Sequence, residues 1–287
     1  MWKFFALILG MCVVAGLPAQ AQQRVITLRP LSDKDTRYVY PEILLKEILK
    51  VTEESYGEAI LVRAKSTFSR ERTKLVLKTG TLLHVMAEAP KPGWEEDLLP
   101  VRIPIRKGIQ GYRLFLIDKR NQAALGKVET LKQLMKYSTG SGAQWSTRRV
   151  MEEAGFKVAT GPDYEGLFRM LMAGRFITFG RGINEIYSEY EAHSKQFPNM
   201  AIENQLAVFI PLPTYFFVSP TKPELAKRIE EGLNTLITNG DFDKIFWRHN
   251  RTVIEAANLK ERRIFKLPNP NLGAMTPLDV KAYWYTP

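Results

Sequence analysis

Two series of alternating short apolar runs and amphipathic stretches, parted by a segment that proline and glycine break up, constrain this chain more than any other feature. Residues 25–28 (VITL), 59–62 (AILV) and 81–87 (TLLHVMA) read as strands. The last is a nearly continuous apolar run, which suits a sheet buried on both faces. Between them, 42–51 carries apolar residues at 44, 45, 48, 49 and 51, one face of a helix, and 66–78 is helical in pattern with Gly80 as its stop. Right-handed crossovers turn such a β-α-β-α-β order into a parallel sheet. From 88 to 110 no helical period survives, because Pro90, Pro92, Gly93, Pro100 and Pro104 interrupt it.

A second series starts with the strand pattern 112–117 (YRLFLI). Helices are predicted over 130–136, over 144–154 with Gly155 as its end, and over 163–173. The last has apolar residues at 164, 167, 168, 171 and 172, with Pro162 at its start and Gly174 at its stop. A strand at 176–179 and a helix over 183–195 follow, and strands at 207–210 and 215–218 flank Pro211-Leu212-Pro213. Thr221-x-x-Glu224 reads as a capping box before a stripe of Leu225, Ile229, Leu233, Leu236 and Ile237. Asn239-Gly240 ends that helix, and Phe242, Ile245, Phe246 and Trp247 predict a short final one. The tail after Leu267, rich in proline and asparagine and ending in Tyr283-Trp284-Tyr285, reads as irregular.

Residues 1–21 (MWKFFALILGMCVVAGLPAQA) set Lys3 before an apolar run of about twelve residues and end in the small-x-small triplet Ala19-Gln20-Ala21. That is the build of a cleaved secretory signal peptide, and the run is well short of the roughly 20 residues that span a bilayer. Cleavage after Ala21 would leave 266 of the 287 residues, with 40 Lys+Arg against 30 Asp+Glu and no cysteine, since Cys12 lies in the leader. A periplasmic product indifferent to redox conditions is expected. No disulfide framework and no cysteine-rich metal site can form, and three histidines at 84, 193 and 249 leave little for a metal cage. Basic residues are interspersed with acids, as in Arg70-Glu71-Arg72 and Lys260-Glu261-Arg262-Arg263, which disfavours nucleic acid as the partner.

Several stretches resemble the family 3 solute-binding proteins of ABC transporters, which are amino-acid-binding-like and of the type II periplasmic-binding-protein fold. These are VETLKQL at 128–134, DYEGLFRMLMAGR at 163–175, and 215–247 with its YFFVSP, LAKRIEEGLNTLITNGDFDKIF and closing Trp. The resemblance implies an α/β clamshell, each lobe a mostly parallel sheet flanked by helices, with two hinge strands near 108–111 and 209–214. Lobe one would take residues 22–110 and 214–287, and lobe two 111–213. It further implies a monomer that binds a small-molecule ligand between the lobes and meets an ABC permease or a sensor protein in the inner membrane, without catalysis or cofactor. A sensing or interaction module of the same fold is the alternative, and a cell-envelope hydrolase a second one.

Ligands in such sheets sit beyond the C-terminal ends of strands. That selects Leu31 to Tyr38, the segment from Ala87 through Glu88 to Trp94, and the second-lobe loops. Gly140-Ser141-Gly142, with Gln144 and Trp145, reads as a glycine turn and a capping box at a helix start, where free N–H groups suit an anion; plain capping is the rival reading. Arg181, bracketed by Gly180 and Gly182 at a strand end, reads as a contact for an anion or a carbonyl-bearing polar ligand, or as an exposed arginine paired with Glu185. Trp94 and Trp145 either stack on ligand or pack. The candidate ligand-binding set is therefore Glu88, Trp94, Ser141, Gly142, Trp145 and Arg181, with no metal ligand. The family's arginine after the third strand and its acidic residue after the Gly-Arg turn are both missing, which argues against a standard α-amino acid. His84 reads as a core histidine, His193 and His249 as polar helix ends, and Glu95-Glu96-Asp97 as a solvated loop. Neither Gly-x-Ser-x-Gly nor His-Glu-x-x-His occurs.

Overall fold

A computed structural model describes residues 23–30, 36–161 and 163–287. The expected leader, residues 31–35 of the first candidate loop, and Pro162 lie outside the described residues. The first series runs β1 (Gln23–Thr27), α1 (Val39–Val51), α2 (Glu53–Tyr56), β2 (Ala59–Arg63), α3 (Arg70–Thr79), β3 (Val85–Glu88), α4 (Trp94–Asp97) and β4 (Leu99–Val101). The second runs β5 (Tyr112–Asp118), α5 (Gln122–Leu125), α6 (Leu131–Leu134), β6 (Thr139–Gly142), α7 (Ser146–Glu153), β7 (Val158–Gly161), α8 (Tyr164–Met172), β8 (Thr178–Gly182), α9 (Ile186–Ser194), β9 (Met200–Ile202) and β10 (Leu206–Phe209). The chain then returns through β11 (Tyr215–Val218), α10 (Pro223–Thr238), α11 (Asp241–Ala257) and β12 (Arg263–Lys266).

Two lobes result. In the first, β1 pairs with β2, β11 pairs with both β3 and β4, and a His84 N to Ile26 O bond of 2.8 Å ties β3 to β1. In the second, the order is β12-β10-β5-β8-β6-β7, with β9 also on β5. Parallel pairs are those the alternation predicts, β1–β2, β6–β7 and β6–β8, together with β10–β12. Every antiparallel pair involves β5 or β11, the two strands by which the chain enters a lobe after crossing. Alternation along these strands feeds different cores: Leu114 and Leu116 point into the cluster that also holds Phe216 and Val218. Phe115 and Ile117 fill the far side of lobe two, and Tyr215 and Phe217 that of lobe one.

Some elements depart from the sequence expectations. Gly140–Gly142 is not a turn before a helix but the body of β6, and α7 starts at Ser146 with no side-chain cap. Glycine is needed there because Phe176 fills the space of a Gly140 side chain and the Trp145 indole that of Gly142. The Thr221 capping box does not form: Pro223 takes the first helical position after Lys222, and the Thr221 hydroxyl meets that of Ser219 at 3.0 Å. The final helix, expected to be short, is α11 with 17 residues. Residues 263–266, expected in lobe one, form β12 on the sheet of lobe two, beside β10.

Candidate ligand-binding cleft between the lobes

Both crossings pass through one point. Gly111 lies so close to Ile210 that a Cβ there would collide with the Ile210 carbonyl oxygen, and Ile210 N donates to Gly111 O at 3.0 Å. Nearby, Ile105 N donates to Thr214 O (2.9 Å) and the Thr214 hydroxyl to Gln110 Oε1 (2.8 Å). Above this junction a half-open cavity of about 80 Å³ lies between the lobes, lined from lobe one by Tyr38, Ala87, Glu88 and Arg106 and from lobe two by Arg113, Trp145, Thr147, Arg181, Asn184 and Glu185. That is room for a few waters or a compact polar group.

Its lobe-two wall is a buried ionic network. Arg181, only 3% exposed, donates from Nε and Nη2 to the Glu189 carboxylate, both at 2.6 Å, and Nη2 also lies 3.0 Å from Glu185 Oε2. Tyr164 donates to Glu189 at 2.8 Å. Arg113 donates to Gly180 O at 2.7 Å and to Glu185 Oε1 at 3.3 Å. Burial would raise the Glu185 carboxyl, but Arg181 and then Arg113 outweigh it and hold the group at about 2. For Arg181, burial works against the charge, and Glu185 and Glu189 overcome it, so the guanidinium is held above its ordinary value. Burial wins at Arg113, which falls to about 10.

Arg106 differs. It is buried, its Nη2 donates to Arg37 O at 2.7 Å, and its guanidinium lies 5.2 Å from the Tyr40 ring centroid. No carboxylate among the described residues comes within ion-pair range, and burial pulls its pKa down. Arg113 and Arg181 are thus paired within the wall by Glu185 and Glu189, whereas Arg106 feels Glu185 only at a distance beyond ion-pair range. Asn184 adds a buried Oδ1 with no hydrogen-bond partner among the described residues.

The sequence-derived candidates divide accordingly. Glu88, Trp145 and Arg181 line the cavity; Trp94, Ser141 and Gly142 do not. Arg181 is not an exposed strand end but a buried residue of β8 whose donors are occupied by Glu189 and Glu185. Trp145 has Arg181 at 4.3 Å over its ring and Gly142 beneath its pyrrole edge. Trp94 packs edge-on to Phe217, with Lys91 above it. Glu88 accepts from Ala89 N and pairs with Lys91 at 3.3 Å. His84, read from the sequence as a core histidine, is half-buried and accepts from Ile26 N at 3.3 Å. His193, expected on a polar helix end, is buried, stacked on Phe168 at 3.7 Å and bridging Glu189 O and Glu165. Arg113 and Asn184 escape a sequence reading, the one signal being the lone arginine in the apolar run YRLFLI at 112–117; Arg106 reads from the sequence only as an arginine on the approach to the crossing.

No protein-family model and no curated protein matches this chain. Solved structures do. An ancestral arginine-binding protein bound to arginine shares 18% identity at a TM-score of 0.52, covering 79% of this chain and 97% of its own. A binding component of an ABC transporter from Wolinella succinogenes, complexed with lysine, shares 14% at 0.54, covering 80% and 96%. A histidine kinase sensor domain with similarity to periplasmic binding proteins shares 14% at 0.54, again covering 80% and 96%. The fold is therefore that of the two-lobed periplasmic binding proteins. Among the described residues no helix is long and apolar enough to cross a membrane.

Proposed function

We propose that this chain is an exported solute-binding protein that captures a small anionic ligand between its lobes and presents the closed form to an ABC permease. The observation that carries the reading is Arg106: a buried guanidinium on the cavity wall with no carboxylate of the described residues in ion-pair range. Burying an unmatched charge is unfavourable by several kcal/mol, and an anion seated against it removes that penalty on closure. Asn184 Oδ1 would accept one donor of the ligand. Arg181 and Trp145 form the wall behind, held by Glu189, and Glu88 stands opposite. The cavity's size requires either a compact ligand or one whose bulk enters as the lobes part. Resemblance to a kinase sensor domain favours a second reading, in which the same closure signals to a membrane sensor.

Thermal unfolding of the purified protein against amino acids, organic acids and phosphorylated compounds tests this. A binder at 100 times its Kd stabilises by about 2.7 kcal/mol, a rise of roughly 5–10 °C for a chain of this size. Arg106→Met should erase that rise and leave the unliganded midpoint unchanged or higher. If no anion shifts the wild type, or if Arg106→Met responds as the wild type does, the reading fails.

A further inference from the structure

The tail, expected to be irregular packing, touches every part of the molecule that hinge motion would separate. Leaving β12, Leu267 N donates to Phe209 O (2.9 Å) and Asn269 Nδ2 to Pro211 O (2.8 Å), so the chain runs alongside the second crossing. Asn271 Nδ2 then donates to Ser146 O at 2.8 Å, at the cavity-lining start of α7 in lobe two. Two residues on, Gly273 lies against the Glu95 carboxylate of lobe one, where a Cβ would come within 3.3 Å of both oxygens. The end of the tail returns to the first crossing. Tyr285 N donates to Lys107 O (2.8 Å), Lys107 Nζ to Ala282 O (3.0 Å) and Tyr112 Oη to Tyr285 O (3.2 Å). The Trp284 ring occupies the space a Gly108 side chain would need, and Trp284 Nε1 is tied to Pro277 O at 2.8 Å.

We propose that residues 267–285 form a third hinge crossing whose aromatic end clasps the first, so that the lobes part only when this clasp lets go. Two observations decide between that and passive covering. An extended chain gains at most about 3.6 Å per residue, so the step from Asn271 to Gly273 spans no more than about 7 Å. Parting the lobes there by more than a few ångströms must therefore break the Asn271–Ser146 bond or pull Gly273 out of its packing against the Glu95 carboxylate. The first crossing also contains Lys107, a non-glycine residue at φ 46°, directly before Gly108 at φ 67°. A left-handed lysine is strained, and its carbonyl and ammonium are both held by the tail, with Asp243 pairing the ammonium at 2.7 Å. Releasing the tail frees the backbone torsions that opening would use. The inference needs the clamshell fold but no particular ligand.

The test is made without ligand, on the full chain in a Cys12→Ser background carrying nitroxides at Leu75→Cys and Glu153→Cys. Leu75 is 63% exposed in lobe one, and the Glu153 side chain 47% exposed in lobe two. Pulsed dipolar spectroscopy should give one narrow distance distribution. Deletion of 281–287, or Asn271→Ala with Trp284→Ala, should broaden it toward longer distances while the far-UV circular dichroism stays native. An unchanged distribution in a natively folded variant overturns the proposal. Should both variants fail to fold, hydrogen exchange on the unaltered chain decides. The amides of Ile109, Gly111 and Ile210 should exchange no faster than that of Tyr285, and hinge amides exchanging tenfold or more ahead of it would overturn the clasp.

Discussion

Arg181 and Glu189 are each more than 90% buried and meet through two hydrogen bonds of 2.6 Å. Removing either alone leaves an ionised group largely buried and without its partner. Arg181→Met strands Glu189 and half of Glu185; Glu189→Gln strands a guanidinium that Glu185 must then share with Arg113. Each single change should cost about 3–5 kcal/mol, or roughly 10 °C of midpoint. The double variant behaves differently, because Arg113 and Glu185 remain a matched pair and the Tyr164 hydroxyl can still meet the amide that replaces the Glu189 carboxylate. Its loss should fall short of the sum of the singles by about 2 kcal/mol or more. Urea unfolding of all four species, followed by circular dichroism with constant slope, measures this. Additive losses would refute the reasoning, since they would mean that Arg181 is solvated or that its charge is balanced elsewhere. The contrast with Arg106→Met is the functional point: one arginine supports the wall, and the other is the one proposed to meet a ligand.

Glu185 gives a pH dependence of defined sign. Its carboxyl is held at about 2 from an ordinary 4.5, so its contribution is complete above pH 4.5 and disappears as pH falls toward 2. The difference amounts to about 3 kcal/mol, and Glu185→Gln should flatten the midpoint-against-pH curve across that window. Gly111→Ala should lower stability by about 1–3 kcal/mol through the collision with Ile210, read by thermal unfolding.

Much of the scaffold was legible because its signals are local. The stripe of 163–173 is α8, Gly80 and Gly174 stop helices at positive φ, and 215–218 is β11 residue for residue. The site was less so. Whether an arginine is buried depends on which carboxylates arrive from elsewhere in the chain: Arg181 finds Glu189 on the following helix, and Arg106 finds none among the described residues. Gly-Ser-Gly before a polar stretch looks like a turn until Phe176 and Trp145 claim the space above its glycines. The tail gave no periodic pattern because its order comes from side chains bonding single backbone carbonyls, which leave no repeat.

The position of β12 decides how this protein meets its neighbours. Without it, β10 (Leu206-Ala207-Val208-Phe209) would be the border of the second sheet, with an unbroken apolar run and a free row of backbone donors and acceptors. Such borders recruit other strands and seed aggregation. β12 covers that row and becomes the border itself, with exposed Arg263 and Lys266 at its two ends. Colloidal safety of the second lobe therefore depends on the strand that follows all the others of its sheet in chain order. A chain cut before Arg263 would keep all but one strand of that sheet and yet lose its protection against self-association.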